Sequence, residues 1–154
     1  MKNYVVFFAV LASLNMGIAQ TDAPNVEYKV ITIVESIVPG GLGRSRMIEN
    51  KTDVEAEDFT TERTDGKKSQ QNEVRRRDAK VDKFSETKLL NFYSLTGLNF
   101  QNIASNDALI TSKINEMAMA GWTLSFIATG VESEAGGDDG QGIFITRLFF
   151  TRQR

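Results

Sequence analysis

The sequence predicts an α+β fold: an antiparallel sheet with one main helix packed on a face, plus a long charged loop insertion. Three observations carry this. Residues 26–38 alternate and then run apolar, as a strand does. Residues 105–121 hold one apolar stripe at helical spacing, closed by a glycine. Residues 122–152 hold two further apolar runs around a Gly- and Asp-rich turn, the pattern of a hairpin.

In chain order, "MKNYVVFFAVLASLNMGIA" (1–19) comes first. Lys2 gives a positive start, Tyr4 to Leu14 an apolar run, and Gly17 and Ala19 small residues at a cleavage point. This reads as a secretory signal peptide cut between Ala19 and Gln20. Its apolar run is about half of the roughly 20 residues that a membrane span needs. The chain has no cysteine, so no lipid can be attached at the cut. The expected product is a secreted or periplasmic protein without a membrane anchor. Residues 20–154 are long enough for a single domain that packs its own core.

"VEYKVITIVESIV" (26–38) is the first strand, with Tyr28, Val30 and Val34 on one face and Lys29, Ile31 and Ile33 on the other. Pro39-Gly40-Gly41 turns the chain, and Arg44 to Glu49 can return as a short strand. In 51–88 more than half the residues are charged. Such composition cannot bury enough surface to offset its ordering entropy, so a mobile excursion is expected, with Arg75, Arg76 and Arg77 its one cationic focus. Lys88 to Ile103 fits helix or strand; its aromatic, alternating content favours strand.

The helix then opens on Ser105 or Asn106 as N-cap, with Asp107 in its first turn. Ile110, Ile114 and Met117 form its buried stripe. Gly121 stands at the residue past the end, free to take positive φ, and Trp122 is placed to fold back onto Met117. In the next strand Trp122, Leu124, Phe126 and Ala128 alternate with Thr123, Ser125, Ile127 and Thr129. "IFITRLFFTR" closes the sheet, with Arg147, Arg152 and Arg154 as charges that discourage edge pairing.

The strand "EYKVI" (27–31), the run "INEMAMAGWTLSF" (114–126) and the closing strand ending in Thr-Arg together resemble a small bacterial family known only as domain of unknown function 4177. Its members read as an EYKVV-like strand, a helix with an LN pair, a GWELV strand and a short basic-ended strand. Ile114-Asn115 takes the LN position and Gly121-Trp122 the GW pair. Thr123 stands where the family has Glu, so no role of that acid carries over. Residues 36–104 lie outside the likeness. It implies a strand, helix, strand, strand arrangement and no activity. The leader also resembles those of secreted Bacteroidetes proteins.

Composition narrows the chemistry. There is no histidine and no cysteine, which excludes a Ser-His-Asp triad, a Cys-His pair and His or Cys metal ligands. The net charge of −2 gives no pull towards nucleic acid. "GGLGRSR" lacks the third glycine of a dinucleotide loop and the Gly-Lys-Ser/Thr of a P-loop. Arg44 and Arg46, two apart with Ser45 between, can hold an anion if extended. Glu132, Glu134, Asp138 and Asp139 offer hard oxygen ligands for calcium, without EF-hand spacing. A glycosidase-type acid pair could be drawn from the same loop, but nothing sets it around a cleft.

Alternation puts Ile31, Ile33, Ile127, Ile145 and Phe149 on a second apolar sheet face. One helix covers one face, so the 89–104 segment, a second subunit or another protein is expected on the other. The leading reading is therefore a secreted or periplasmic, non-catalytic binding or interaction module. No cofactor, nucleic acid or membrane anchor is implied, and the partner is not named. An enzyme working with carboxylates or with Ser and Lys is the second reading. A subunit of a cell-envelope assembly is the third.

Overall fold

The computed structural model describes residues 25–38, 44–132 and 142–154. The expected leader, the turn at 39–43 and most of the acidic loop, including Glu134, Asp138 and Asp139, lie outside these residues.

Five strands form one antiparallel sheet: β1 (Val26–Ser36), β2 (Arg46–Asn50), β3 (Phe84–Lys88), β6 (Thr123–Glu132) and β7 (Ile143–Gln153). Two-residue strands β4 (Tyr93–Ser94) and β5 (Gly97–Leu98) make a small hairpin of their own. The strand order is β3-β2-β1-β7-β6. The α+β fold with one main helix is as expected. The one α-helix among the described residues, α1 (Phe100–Met119), covers one face.

The covered face is built from alternate residues. Ile31 and Ile33 of β1, Met47 of β2, and Leu148 and Phe150 of β7 are buried with Leu89, Met117 and Trp122. Ile110, Ile114 and Leu124 pack against this cluster. Each large side chain so buried contributes about 1.5–3 kcal/mol of transfer free energy.

Five expectations need correcting. Phe84–Lys88, placed in the charged excursion, is a sheet strand in register with β2 from Arg46↔Lys88 to Asn50↔Phe84. An edge strand has one neighbour and a wet side, so its charges are tolerated. The rest of the excursion carries two 3-10 turns, Ala56–Phe59 and Gln71–Glu73. Its neck is closed where the Lys51 amide and the Thr52 hydroxyl both donate to the Lys83 carbonyl.

The strand favoured over 88–103 is also absent: it holds only the ends of β3, β4 and β5, and the helix begins at Phe100. Its cap is Asn99, whose side chain accepts from the Asn102 amide at 3.1 Å. Ser105 and Asn106 lie inside the helix, and its first turn holds no acidic residue.

The sheet faces are redistributed as well. Ile31, Ile33 and Ile127 share a face as expected, but it is the one that the helix covers, and the register Ile31↔Leu148 and Val30↔Phe149 puts Ile145 and Phe149 on the other. Phe126 also leaves the face expected for it, at a register shift between Leu124 and Phe126. Ser125 is the extra residue, so Phe126 swings to the open face beside Phe149 while Leu124 stays inside. Finally, β7 lies between β1 and β6, so its arginines guard no edge.

The helix end is as expected. Gly121 has φ 81°; its amide donates to Ala118 O at 3.0 Å, and the Trp122 amide to Met117 O at 3.0 Å. This pair of bonds is the Schellman pattern. A Cβ at Gly121 would meet only Arg152 Cδ, at 3.7 Å, so substitution there is a matter of backbone conformation alone. Gly121→Ala is expected to cost about 1 kcal/mol, read as a melting point lower by roughly 3–5 °C, with Gly121→Asn losing less.

Candidate functional site

Two polar clusters lie under or beside the helix, and one apolar surface lies on the other side of the sheet. The first cluster sits where β1 ends and β2 begins. Ser45, the centre of the expected anion motif, is buried there. Its Oγ accepts from the Ser36 amide at 2.9 Å and donates to Asn91 Oδ1 at 2.8 Å. The Leu89 amide donates to Ser45 O and the Phe92 amide to Ser36 O, both at 3.1 Å. Ser45 thus fastens the segment after β3 across the ends of β2 and β1.

Asn106 completes this cluster from the helix. It is fully buried. Its Nδ2 donates to Leu90 O at 2.7 Å and to Glu35 Oε1 at 2.8 Å, and its Oδ1 accepts from the Leu90 amide at 2.8 Å. Asn102, one turn earlier, donates to Asn91 O at 2.9 Å. Burial pushes the Glu35 carboxyl above its ordinary range, against the Asn106 hydrogen bond.

The second cluster surrounds Glu49 on the covered face. Lys113 of the helix reaches Oε2 at 2.7 Å; Lys51 and Lys29 reach Oε1 at 2.6 and 3.3 Å. Burial alone would raise this carboxyl, but the three ammonium groups outweigh it and hold it at about 2. Lys113 also pairs with Glu116 at 2.8 Å. Lys29 and Arg152 stand over the Trp122 ring, 5.2 and 4.4 Å from its centroid, and Arg152 pairs with Glu27 at 2.7 Å. These contacts tie β1, β2, α1 and β7 together around one aromatic ring.

Two of the three expected anion residues, Ser45 and Arg46, line one open cleft. Arg46 lies on the open face in β2, paired with Glu86 Oε1 at 2.5 Å. Ser45, Arg46, Glu86 and Lys88 line an open cleft of about 290 Å³, and Arg44 is not among them. The Glu86 carboxylate offsets the Arg46 charge in that cleft, and the Ser45 hydroxyl is engaged with Asn91. Of the expected calcium ligands, Glu132 closes β6. Among the described residues no group of three or more acids could hold a metal ion. No described helix is long and apolar enough to cross a membrane.

The open sheet face was only partly foreseen. Tyr28, Val30 and Val34 lie on it as read, joined by Ile145, Phe149 and Phe126. Tyr28 is 70% exposed and Phe126 62%. The Phe126 and Phe149 rings pack with centroids 5.7 Å apart, and Arg147 projects among these residues opposite Thr32. Phe126 escaped the sequence reading because nothing in a smooth alternation marks a bulge; the small polar Ser125 is its only trace.

No protein-family model, curated protein or solved structure matches the chain. Of the four described carboxylates with displaced acidity, Glu35 and Glu49 are engaged inside the fold, by Asn106 and by lysines, while Glu27 is lowered at the surface by Arg152 and Asp65 by the backbone amides of Lys67 and Lys68.

The shifts of Glu49 and Glu35 have opposite signs in pH. Glu49 is held below its free value of 4.5, at about 2. Its stabilisation is complete above that free value and is lost as pH falls through the interval to about 2. Glu49→Gln is expected to cost about 3 kcal/mol at neutral pH and to flatten that acid limb in denaturant titrations. Glu35 is raised, so its penalty is absent at low pH and grows as pH climbs past 4.5. Glu35→Gln keeps an acceptor for Asn106 and should melt higher than the parent at pH 7.

Proposed function

We propose that the protein is an exported, non-catalytic interaction module that binds a protein partner on the open face of its sheet. The observation that carries this reading is the exposure of Tyr28 and Phe126 beside Val30, Phe149 and Arg147 on one flat surface. Exposed aromatics with a central arginine are the composition of binding hot spots, and contiguous apolar patches on a folded surface mark interaction sites. Export is supported by the pattern of residues 1–19.

The enzyme reading is weaker on specific grounds. A carboxylate acid or base has to face substrate, whereas Glu35 and Glu49 are buried in bonds to Asn106 and the lysines. The Ser-with-Lys version meets the same difficulty at Ser45, whose hydroxyl proton goes to Asn91. The envelope-assembly reading uses the same open face and differs only in what covers it.

A photo-crosslinking residue placed at Tyr28 in producing cells is expected to give a discrete protein adduct. The same probe at Lys80, in the excursion, should give none. An absent adduct at Tyr28, or equal labelling at Lys80, contradicts the reading. Amino-terminal sequencing of exported material is expected to start at Gln20.

A further inference from the structure

The two edges of the sheet are treated very differently. At one edge, β3 is five residues long and carries Glu86 and Lys88, with Glu86 paired to Arg46. Charges and brevity of this kind keep an edge from pairing with another chain. At the other edge, β6 is ten residues long, and from Thr123 to Val131 it holds no charged residue and no proline. Beyond it there is no strand neighbour among the described residues. Its side chains are exposed on both faces at once: Phe126 at 62% on the open face, Ile127 at 50% and Val131 at 64% on the covered one.

Exposure on both faces selects the kind of partner. A body stacked on the open face would cover Phe126 and leave Ile127 and Val131 in water. A strand added along the edge, bringing its own helix, shields all three. We propose that this strand is the β6 of a second copy, paired antiparallel to form a two-fold dimer with a continuous ten-stranded sheet.

Self-pairing is consistent with the sequence of β6. Residues directly opposite each other across an antiparallel pair lie on the same face, so the two-fold axis stands normal to the sheet and passes midway between a residue and its own copy. Centred on Ala128, this places Phe126 opposite the partner's Gly130 and Ile127 opposite the partner's Thr129. No like charges meet. Gly130 has room for the ring, since a Cβ there would touch nothing within 4 Å. An aromatic laid across a glycine is a favourable cross-strand pair. The geometry puts both helices on one side and merges the two open faces on the other. Assembly stops at two because the β3 edges that remain are charged.

The test uses the exported chain, from Gln20 to Arg154. Light scattering at micromolar concentration is expected to give twice the mass of that chain. Ile127→Lys is expected to give a folded monomer by circular dichroism, while Tyr28→Lys, on the open face away from the edge, stays dimeric. Because the chain has no cysteine, Ala128→Cys provides a second readout that does not depend on the lysine variant folding. Opposed Cα atoms in an antiparallel pair lie within disulfide range, so this variant should oxidise to a covalent dimer and Tyr28→Cys should not. A monomeric parent up to millimolar concentration overturns the inference, and leaves the open-face reading standing. So does a dimer that crosslinks through Tyr28→Cys and not Ala128→Cys, which would mean face-to-face stacking.

Discussion

A single buried amide sets much of this architecture. Asn106 sits one turn before the apolar stripe of the helix, yet it is fully buried and all three of its hydrogen bonds leave the helix. Two go to the backbone of Leu90 and one to Glu35 of β1. A buried polar side chain is costly unless every group on it is met. Here it is met only if the Leu90 segment, the helix and β1 hold one relative position. The fork therefore acts as a register pin. It fixes where the chain crosses after β3, and hence where the small hairpin ends and Asn99 can cap the helix.

The pin works together with the ionic cluster at the other side of the helix. Lys113 lies two turns beyond Asn106 and reaches Glu49 of β2. One contact is neutral and one charged, but both tie the same helix to the same face of the sheet. Between them lies the apolar core of Ile31, Ile33, Met47, Leu148 and Phe150. Buried ion pairs add little net stability over apolar packing, and their loss is expensive. Their value here is placement: with both polar groups engaged, the helix cannot slide or roll. That commits the one helix to one face and leaves Tyr28, Val30 and Phe126 facing outward on the other.

Much of the frame was legible in the sequence. β1, the β6–β7 hairpin and the Gly121-Trp122 helix end follow from alternation and from a glycine that takes positive φ. What escaped did so for identifiable reasons. Asn106 is a polar residue just before an apolar stripe, and so looks like a cap; only its tertiary partners reveal it as interior. Phe84–Lys88 is too polar to read as a strand, because an edge position asks little apolar burial of it. One inserted residue at Ser125 inverted the assignment of Phe126. Ser45, read as part of an anion loop, is instead a buried fastener, and that role depends on Asn91, 46 residues away. Local pattern reports periodicity well and long-range hydrogen bonding hardly at all.

The functional account rests on the same constraint. Glu35 and Glu49 are engaged in holding the helix down, and the opposite face of the sheet exposes Tyr28 and Phe126 beside a strand with no further neighbour among the described residues. The most direct test of the pin is native-state hydrogen exchange at the Leu90 amide. Leu90 belongs to no strand or helix, so its protection has to come from Asn106. The account predicts exchange as slow as that of the Ile31 and Leu148 amides in the sheet core, limited by global unfolding. Exchange at the rate of an ordinary loop amide would contradict it, and the helix would then be held by apolar packing alone.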